Sequence, residues 1–292
     1  MISIILTAYK EEKTIIRAIE AILKNEISVP YEILVLAPDE KTLKVAEKYA
    51  EKNKHIRVVK DDGEGKPSAL NIAFTIAKGD ILILTDGDVY VGKKSLPALL
   101  EPFKNQNIGA TSGRPVSTDS TKTMFGFWSH LLTSIADERR KNALKNKKRI
   151  FCSGYLYAFR KGLIKKIPKE TLSEDGLISH FVYSQGYKID YVPEAEVYVK
   201  YPSNFRDWIN QKKRSAGGYN QIRQWTKTEM RSFSKESSGA FHFFKYLKTP
   251  KQLFWLLALF LSRVYLWILI FKDINIKNKS FKKIWVRVES TK

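Results

Sequence analysis

Four short apolar runs in the first 115 residues constrain this chain more than any other feature. They are Ile2–Ala8, Tyr31–Ala37, Ile56–Val59 and Asp80–Thr85, each too short for a helix and apolar through most of its length. Runs of that kind are what strands covered on both faces look like. Helical spacing fills the gaps: Ile15, Ile16, Ala18, Ile19, Ile22 and Leu23, then Leu43, Val45, Ala46 and Tyr49, then Pro67–Ala77 with Pro near its first turn. Strand and helix in alternation predict an α/β fold with a mixed, mostly parallel sheet and helices on both faces. Ile2–Ala8 is followed at once by Lys10-Glu11-Glu12, so it lacks the length and flanks of a secretory leader and is read as the first strand.

Beyond residue 115 the pattern loosens. Phe125–Arg140 reads as an amphipathic helix and Arg139–Arg149 as an exposed basic loop. Cys152–Phe159 is strand-like, Glu174–Tyr183 helix-like, and Lys188–Tyr191 and Glu196–Tyr201 are two further strands. Residues 205–250 are polar, basic and aromatic, and Ser232–Gly239 reads as their mobile piece. Composition then shifts: Leu253–Phe271 is apolar except for Ser262 and Arg263, long enough as a helix to match a bilayer's hydrocarbon core.

Charge narrows the partners. Lys and Arg exceed Asp and Glu by 51 to 30, a formal net charge of +21, which favours an anionic membrane face or a phosphorylated ligand. Nucleic acid would satisfy the same field, but no zinc-finger or RRM signature is present. The single cysteine, Cys152, excludes an internal disulfide and fits a reducing, cytoplasmic setting.

Chemistry concentrates in four places. Asp86-Gly87-Asp88 follows a buried strand, at the carboxyl edge where α/β sheets bind ligands; one carboxylate suits a hard divalent cation, the other a ribose or sugar hydroxyl. As a bare tripeptide it is also ordinary turn chemistry. Gly63-Glu64-Gly65-Lys66-Pro67 enters a helix, where amides and Lys66 suit a phosphate, although the P-loop spacing is absent. Ser173-Glu174-Asp175-Gly176 reads either as a helix cap or as a general base. Gln211-Lys212-Lys213-Arg214 reads either as a solvated helix face or as a grip on a diphosphate. His180, near the acidic pair, is a structural histidine or an additional metal ligand.

The order of these motifs resembles the family 2 inverting glycosyltransferases, which have the GT-A (Rossmann-like nucleotide-diphospho-sugar transferase) fold. The likeness runs from Ile2 to about Tyr219. Thr7-Ala8-Tyr9-Lys10-Glu11-Glu12 is similar to the family's A-Y-N-E-E opening, with Lys10 in place of Asn. Gly65-Lys66-x-x-Ala69-Leu70-Asn71 matches its G-K-x-x-A-L-N helix entry, Asp86-Gly87-Asp88 its D-x-D, and Glu174-Asp175 its E-D pair. Gly154–Arg160 resembles the segment lining the acceptor side. Ala37-Pro38-Asp39 replaces the usual V-D-D-G-S, and Ser215 stands where the Q-x-x-R-W motif has Trp, which argues against processive synthesis.

The resemblance implies a nucleotide-diphosphate sugar donor, held through Ala8, Tyr9, Glu11, Asp39, Lys66, Asp86, Gln211 and Arg214. It implies Mn²⁺ or Mg²⁺ on Asp88, and Asp175 as the base for a single inverting displacement. Gly154 and Glu174 would face a lipid-phosphate or glycan acceptor. Expected divisions are a catalytic domain over 1–230, a basic and aromatic connector over 231–252, a membrane-embedded or transmembrane helix over 253–271 and a basic tail over 272–292. The catalytic domain would sit on the cytoplasmic side of an anionic membrane, with no nucleic acid as partner. A sugar-phosphate nucleotidyltransferase would share the sheet and the metal carboxylate but leave Glu174-Asp175 unexplained.

Overall fold

The computed structural model describes residues 1–226, 246–272 and 288–291. The chain divides into two compact units, one of Met1–Val116 with Asp137–Val199, the other of Ser117–Ala136 with Lys200–Thr291.

The first unit is built on an eight-stranded sheet in the order β3-β2-β1-β4-β7-β6-β8-β5. Its strands are β1 (Ile2–Thr7), β2 (Tyr31–Ala37), β3 (Ile56–Lys60), β4 (Ile81–Asp86), β5 (Tyr90–Val91), β6 (Ile108–Ser117), β7 (Leu156–Arg160) and β8 (Lys188–Val199). The first four pair in parallel, as their continuous apolar character predicts, while β7 runs antiparallel to both β4 and β6. Ile4, Ile5, Leu6, Ile33, Leu34 and Leu36 have no solvent exposure, so both faces of the central strands are covered. The covering helices include α1 (Ile15–Leu23), α2 (Glu40–Ala50), α3 (Lys66–Ile76) and α4 (Ser95–Leu100).

Register sets the functional edge. Thr7 of β1 lies opposite both Leu36 of β2 and Asp86 of β4, so the loops leaving these three strands emerge side by side.

Two sequence expectations change. The basic stretch after residue 139 is not all loop: α5 runs from Met124 to Lys145. Asp137 holds its later turns by pairing with Lys141 at 2.9 Å and with Arg114 at 3.6 Å, and by accepting a hydrogen bond from the Tyr191 hydroxyl. The two strands expected over 188–201 are one strand, β8. Pro193 lies within it, ahead of Val197 and Tyr198, the residues that pair with β5. The polar, basic and aromatic stretch that starts at 205 begins as the helix α7 (Phe205–Thr226), which carries Gln211–Arg214. Ser232–Gly239 lies outside the described residues, as do most of 231–252 and of 272–292.

The second unit is a helical cluster. α6 (Glu174–Ser184) belongs to the first unit. Here the start of α5 packs with α7 and with α8 (Pro250–Phe271). Phe127, Trp128 and Leu131 of α5, Trp208 and Ile209 of α7, and Leu256, Leu259, Leu266 and Ile270 of α8 form one core. The Trp128 indole meets Trp208 edge-on and donates its N–H to the Trp255 carbonyl at 2.7 Å.

Candidate active site

The carboxyl edge of β1, β2 and β4 gathers most of the residues singled out from sequence. Past β1, the buried Ala8 donates its N–H to Leu36 O at 2.9 Å. Tyr9 follows and is exposed, so its ring faces solvent at the rim. Glu11 is buried, accepts from the Thr14 hydroxyl, and donates its N–H to Thr42 Oγ1. Asp39 joins this loop to the next. It caps α2 by accepting from Thr42 N and Oγ1, and its other oxygen accepts from Lys10 N at 2.8 Å. Burial raises the Asp39 carboxyl, but these donors outweigh it and hold the group below the usual carboxylate range.

Lys66 opens α3 and is the hub of the acidic residues. Its ammonium lies 2.7 Å from Asp86 Oδ1 and 2.8 Å from Glu174 Oε1. Burial opposes its charge, yet the two carboxylates prevail and keep it protonated well above the ordinary lysine range. Asp86 also accepts from Thr7 Oγ1 at 3.1 Å. For Asp86, burial and the neighbouring Asp88 and Glu174 charges outweigh the help of Lys66, so its carboxyl is pushed up. Between the acids, a Cβ on Gly87 would come within 2.9 Å of Ala8 Cβ, so glycine allows β4's loop to close on β1's.

α6 brings the second acidic pair to the same place. Asp175 Oδ1 accepts from Ser173 Oγ at 2.6 Å and from Gly176 N at 2.8 Å. Its other oxygen, Oδ2, faces the chain just before β7, where a Cβ on Gly154 would stand 3.3 Å away. Glycine there keeps the ground in front of Oδ2 clear. Burial and the adjacent Glu174 charge push the Asp175 carboxyl up, against the pull of Ser173, Gly176 and Lys66. A carboxyl so placed accepts a proton more readily than an exposed aspartate does.

Lys66, Asp86, Asp88, Gly154, Glu174 and Asp175 thus form one cluster within the first unit. Gln211 and Arg214 lie on α7, in the other unit; the Gln211 side-chain oxygen is buried with no hydrogen-bond partner among the described residues. His180 stacks obliquely near Phe181, and burial together with Arg149 lowers its pKa. No group of three or more His, Cys, Asp or Glu placed to hold a metal occurs among the described residues, so His180 completes no such set.

Two participants escaped the sequence reading. Thr7 supplies a hydroxyl to Asp86, which its place in the Thr7-Ala8-Tyr9 opening could have signalled. Tyr157 of β7 is fully buried, its hydroxyl has no hydrogen-bond partner among the described residues, and it lies in the field of Glu174, Asp175 and Asp86. Nothing in the run Leu156–Arg160 distinguishes it from a core aromatic.

The family described as "Glycosyltransferase like family 2" matches residues 1–218. The probable glycosyltransferase YdaM of Bacillus subtilis (strain 168) is 26% identical over 233 residues, covering 74% of this chain and 54% of that protein. Poly-beta-1,6-N-acetyl-D-glucosamine synthase of Staphylococcus aureus (strain COL) is 25% identical over 231 residues, covering 76% of this chain and 55% of that protein. The chain therefore spans about half the length of the curated relatives it matches. Among solved structures, the fold is similar to mannosyltransferase PcManGT from Pyrobaculum calidifontis, in complex with GDP-Man and Mn2+. There the TM-score is 0.59 at 19% identity, over 79% of this chain and 65% of that one. It is also similar to S. aureus TarS, with a TM-score of 0.51 at 17% identity, over 82% of this chain and 45% of that one.

Proposed function

The chain belongs to glycosyltransferase like family 2, and on that premise we propose that it transfers a sugar from a nucleotide-diphosphate sugar to an acceptor hydroxyl. The observation that carries this reading is the meeting of Lys66, Asp86 and Glu174, residues from three separate elements, at the carboxyl edge of the sheet.

In this reading Tyr9, Glu11 and Asp39 hold the nucleoside with the Ala8 backbone beside them. Lys66 turns to the diphosphate, and Asp86 accepts from ribose or sugar. Asp175 Oδ2 takes the proton of the acceptor hydroxyl as that oxygen bonds to the anomeric carbon. The bond from that carbon to the phosphate oxygen breaks, and the nucleoside diphosphate leaves with the electron pair. One displacement from the opposite face inverts the anomeric centre. Gly154 and Glu174 border the acceptor.

A divalent cation fits the residues present. Asp86, Asp88 and Glu174 outnumber Lys66, and burial together with the Asp88 and Glu174 charges pushes Asp86 up. One or two carboxylates suffice for Mg²⁺ when substrate phosphates complete its shell. When bound at Asp88, such a cation would supply Lewis-acid stabilisation of the leaving diphosphate.

The acceptor side is proposed to lie at a membrane. Among the described residues α8 is the one helix long and apolar enough to cross a bilayer. Among the described residues, protein packs one of its faces. The other carries Phe254, Leu257, Phe260, Leu261, Tyr265, Ile268 and Phe271, with Phe254 70% and Leu261 67% exposed. Arg263 falls three and four residues from Leu266 and Leu259, on the packed side, so its charge need not enter lipid. A helix half covered by α5 and α7 suits the interfacial plane better than a lone crossing. Both flanks would then stay cytoplasmic, with the basic surface against anionic headgroups and a lipid-phosphate or glycan acceptor within reach.

The test is a screen of radiolabelled nucleotide sugars with Mn²⁺, against lipid-phosphate and glycan acceptors, using the full chain. Transfer from one donor, lost in Asp175→Asn, is expected. No transfer and no donor hydrolysis from any nucleotide sugar would overturn the reading.

A further inference from the structure

Away from the acidic cluster, and sharing no residue with it, α1 and β5 border a cavity of about 440 Å³. Arg17 and Lys24 of α1 and Lys93 after β5 line it, with Glu26 as the one acid and Tyr90 and Val91 as its apolar wall. The Arg17 guanidinium is seated over the Tyr90 ring, 4.1 Å from its centre, which fixes one cation at the wall. Neither Arg17, Lys24 nor Lys93 makes an ion pair with any described residue.

Three cations and one acid leave this concavity net positive, and a positive cleft focuses its field on a counter-ion. The volume exceeds what a bare phosphate needs and falls within the range of small-ligand pockets. Phosphate oxygens match a fixed guanidinium and two mobile ammonium groups, and the apolar wall suits a carbon skeleton.

We infer that Arg17, Lys24 and Lys93 form a second anion site, which takes a sugar- or polyol-phosphate unit. The phosphate would lie between Arg17 and the two lysines, and its carbon skeleton against Val91 and the free edge of Tyr90. Tyr90 stands two residues after Asp88, so occupancy would bear on the backbone that carries the acidic motif.

The test is calorimetric titration of the full chain with sn-glycerol 3-phosphate, in metal-free buffer. Saturable binding is expected, weakened about tenfold or more by Arg17→Ala and by Lys24→Ala/Lys93→Ala. Glu26→Gln should tighten it, since it removes the opposing charge, and Lys66→Ala should leave it unchanged. Unaltered melting temperatures would show that these surface variants fold. A parallel arm uses phosphatidylglycerol vesicles. Vesicle binding that falls in Lys24→Ala/Lys93→Ala assigns the phosphate to a lipid headgroup, while titration effects without a vesicle effect assign it to a soluble or acceptor-borne phosphate. Three results would overturn the inference: no saturation by about 10 mM, which leaves less than about 3 kcal/mol of binding; indifference to loss of the cations; or loss of binding in Lys66→Ala alone. The last would move the phosphate to the acidic cluster.

Discussion

Lys66 and Glu174 meet at 2.8 Å, so the first residue of α3 touches the first residue of α6 across the edge of the sheet. Since the same ammonium also holds Asp86, one side chain links the proposed donor residues to the proposed acceptor residues. Removing it leaves two carboxylates facing each other without a cation, next to the place where a diphosphate must bind. Lys66→Ala should therefore weaken nucleoside-diphosphate binding by about tenfold to a hundredfold. Titration with UDP and GDP in the presence of Mn²⁺ measures this. Binding equal to wild type would remove Lys66 from the donor site.

Asp88→Asn should abolish divalent-dependent transfer and leave the fold intact, because Asp88 is only partly buried and lies in the loop after β4. Turnover measured across Mn²⁺ and Mg²⁺ concentrations checks it. A variant with near wild-type activity and an unchanged metal response would show that Asp88 holds no cation.

Asp175→Asn should retain donor binding and lose about 10² to 10⁴ in transfer rate, the usual range for removing a general base. Wild-type activity should rise with pH through the Asp175 titration, and burial beside Glu174 places that rise above the usual carboxylate range. The variant should lack this limb. A pH profile of kcat/KM that is identical in shape for both proteins would mean that Asp175 takes no proton.

The same shift has a consequence for stability. A carboxyl whose folded pKa is raised binds its proton more tightly when folded, so its stabilising contribution is present at acid pH and lost as pH rises through the folded pKa. Asp175→Asn removes the charge that is disfavoured at neutral pH. The variant should melt higher than wild type at pH 7, and the gap should shrink toward pH 4. Melting curves at both pH values decide this, and a variant that melts lower at pH 7 would make Asp175 a structural carboxylate.

The parts of the molecule that were legible in the sequence are those whose signal is local. β1 to β4 show as apolar runs because both faces are buried, and their common edge follows from parallel pairing. β6 is different. Ile108–Ser117 reads IGATSGRPVS, and its strand character comes from β7 and β8 on either side rather than from its own residues. Beyond the helix face offered at Gln211–Arg214, the extent of α7 was hidden for a related reason: Trp208, Ile209, Gln221 and Ile222 are buried, too sparse and too polar a set to mark a helical stripe. In the site, the acidic motifs could be recognised as residue types after a strand or at a helix start. The contact of Lys66 with Glu174 and the orphaned hydroxyl of Tyr157 depend on tertiary placement, and no spacing encodes them.

The exposed face of α8 carries the last prediction. Phe254, Leu257, Leu261, Ile268 and Phe271 recur at the three- and four-residue spacing of a single helical stripe, opposite the stripe of Leu256, Leu259, Leu266 and Ile270 that packs into protein. A helix surrounded by lipid would not bury one stripe against α5 and α7, and a core helix would not expose the other. Replacing Leu257, Leu261 and Ile268 with Lys should leave the packed stripe intact and release the protein from anionic vesicles into the soluble fraction. Sedimentation with vesicles reads that release directly, and melting temperature confirms that the variant folds. Cysteines introduced at Ser237 and Ser290, with Cys152 replaced, distinguish the two membrane geometries in sealed vesicles. Labelling of both from the cytoplasmic face is expected for a helix lying in the interface. Labelling from opposite faces would establish a full crossing instead, and a wild-type chain that stays soluble without detergent would exclude both.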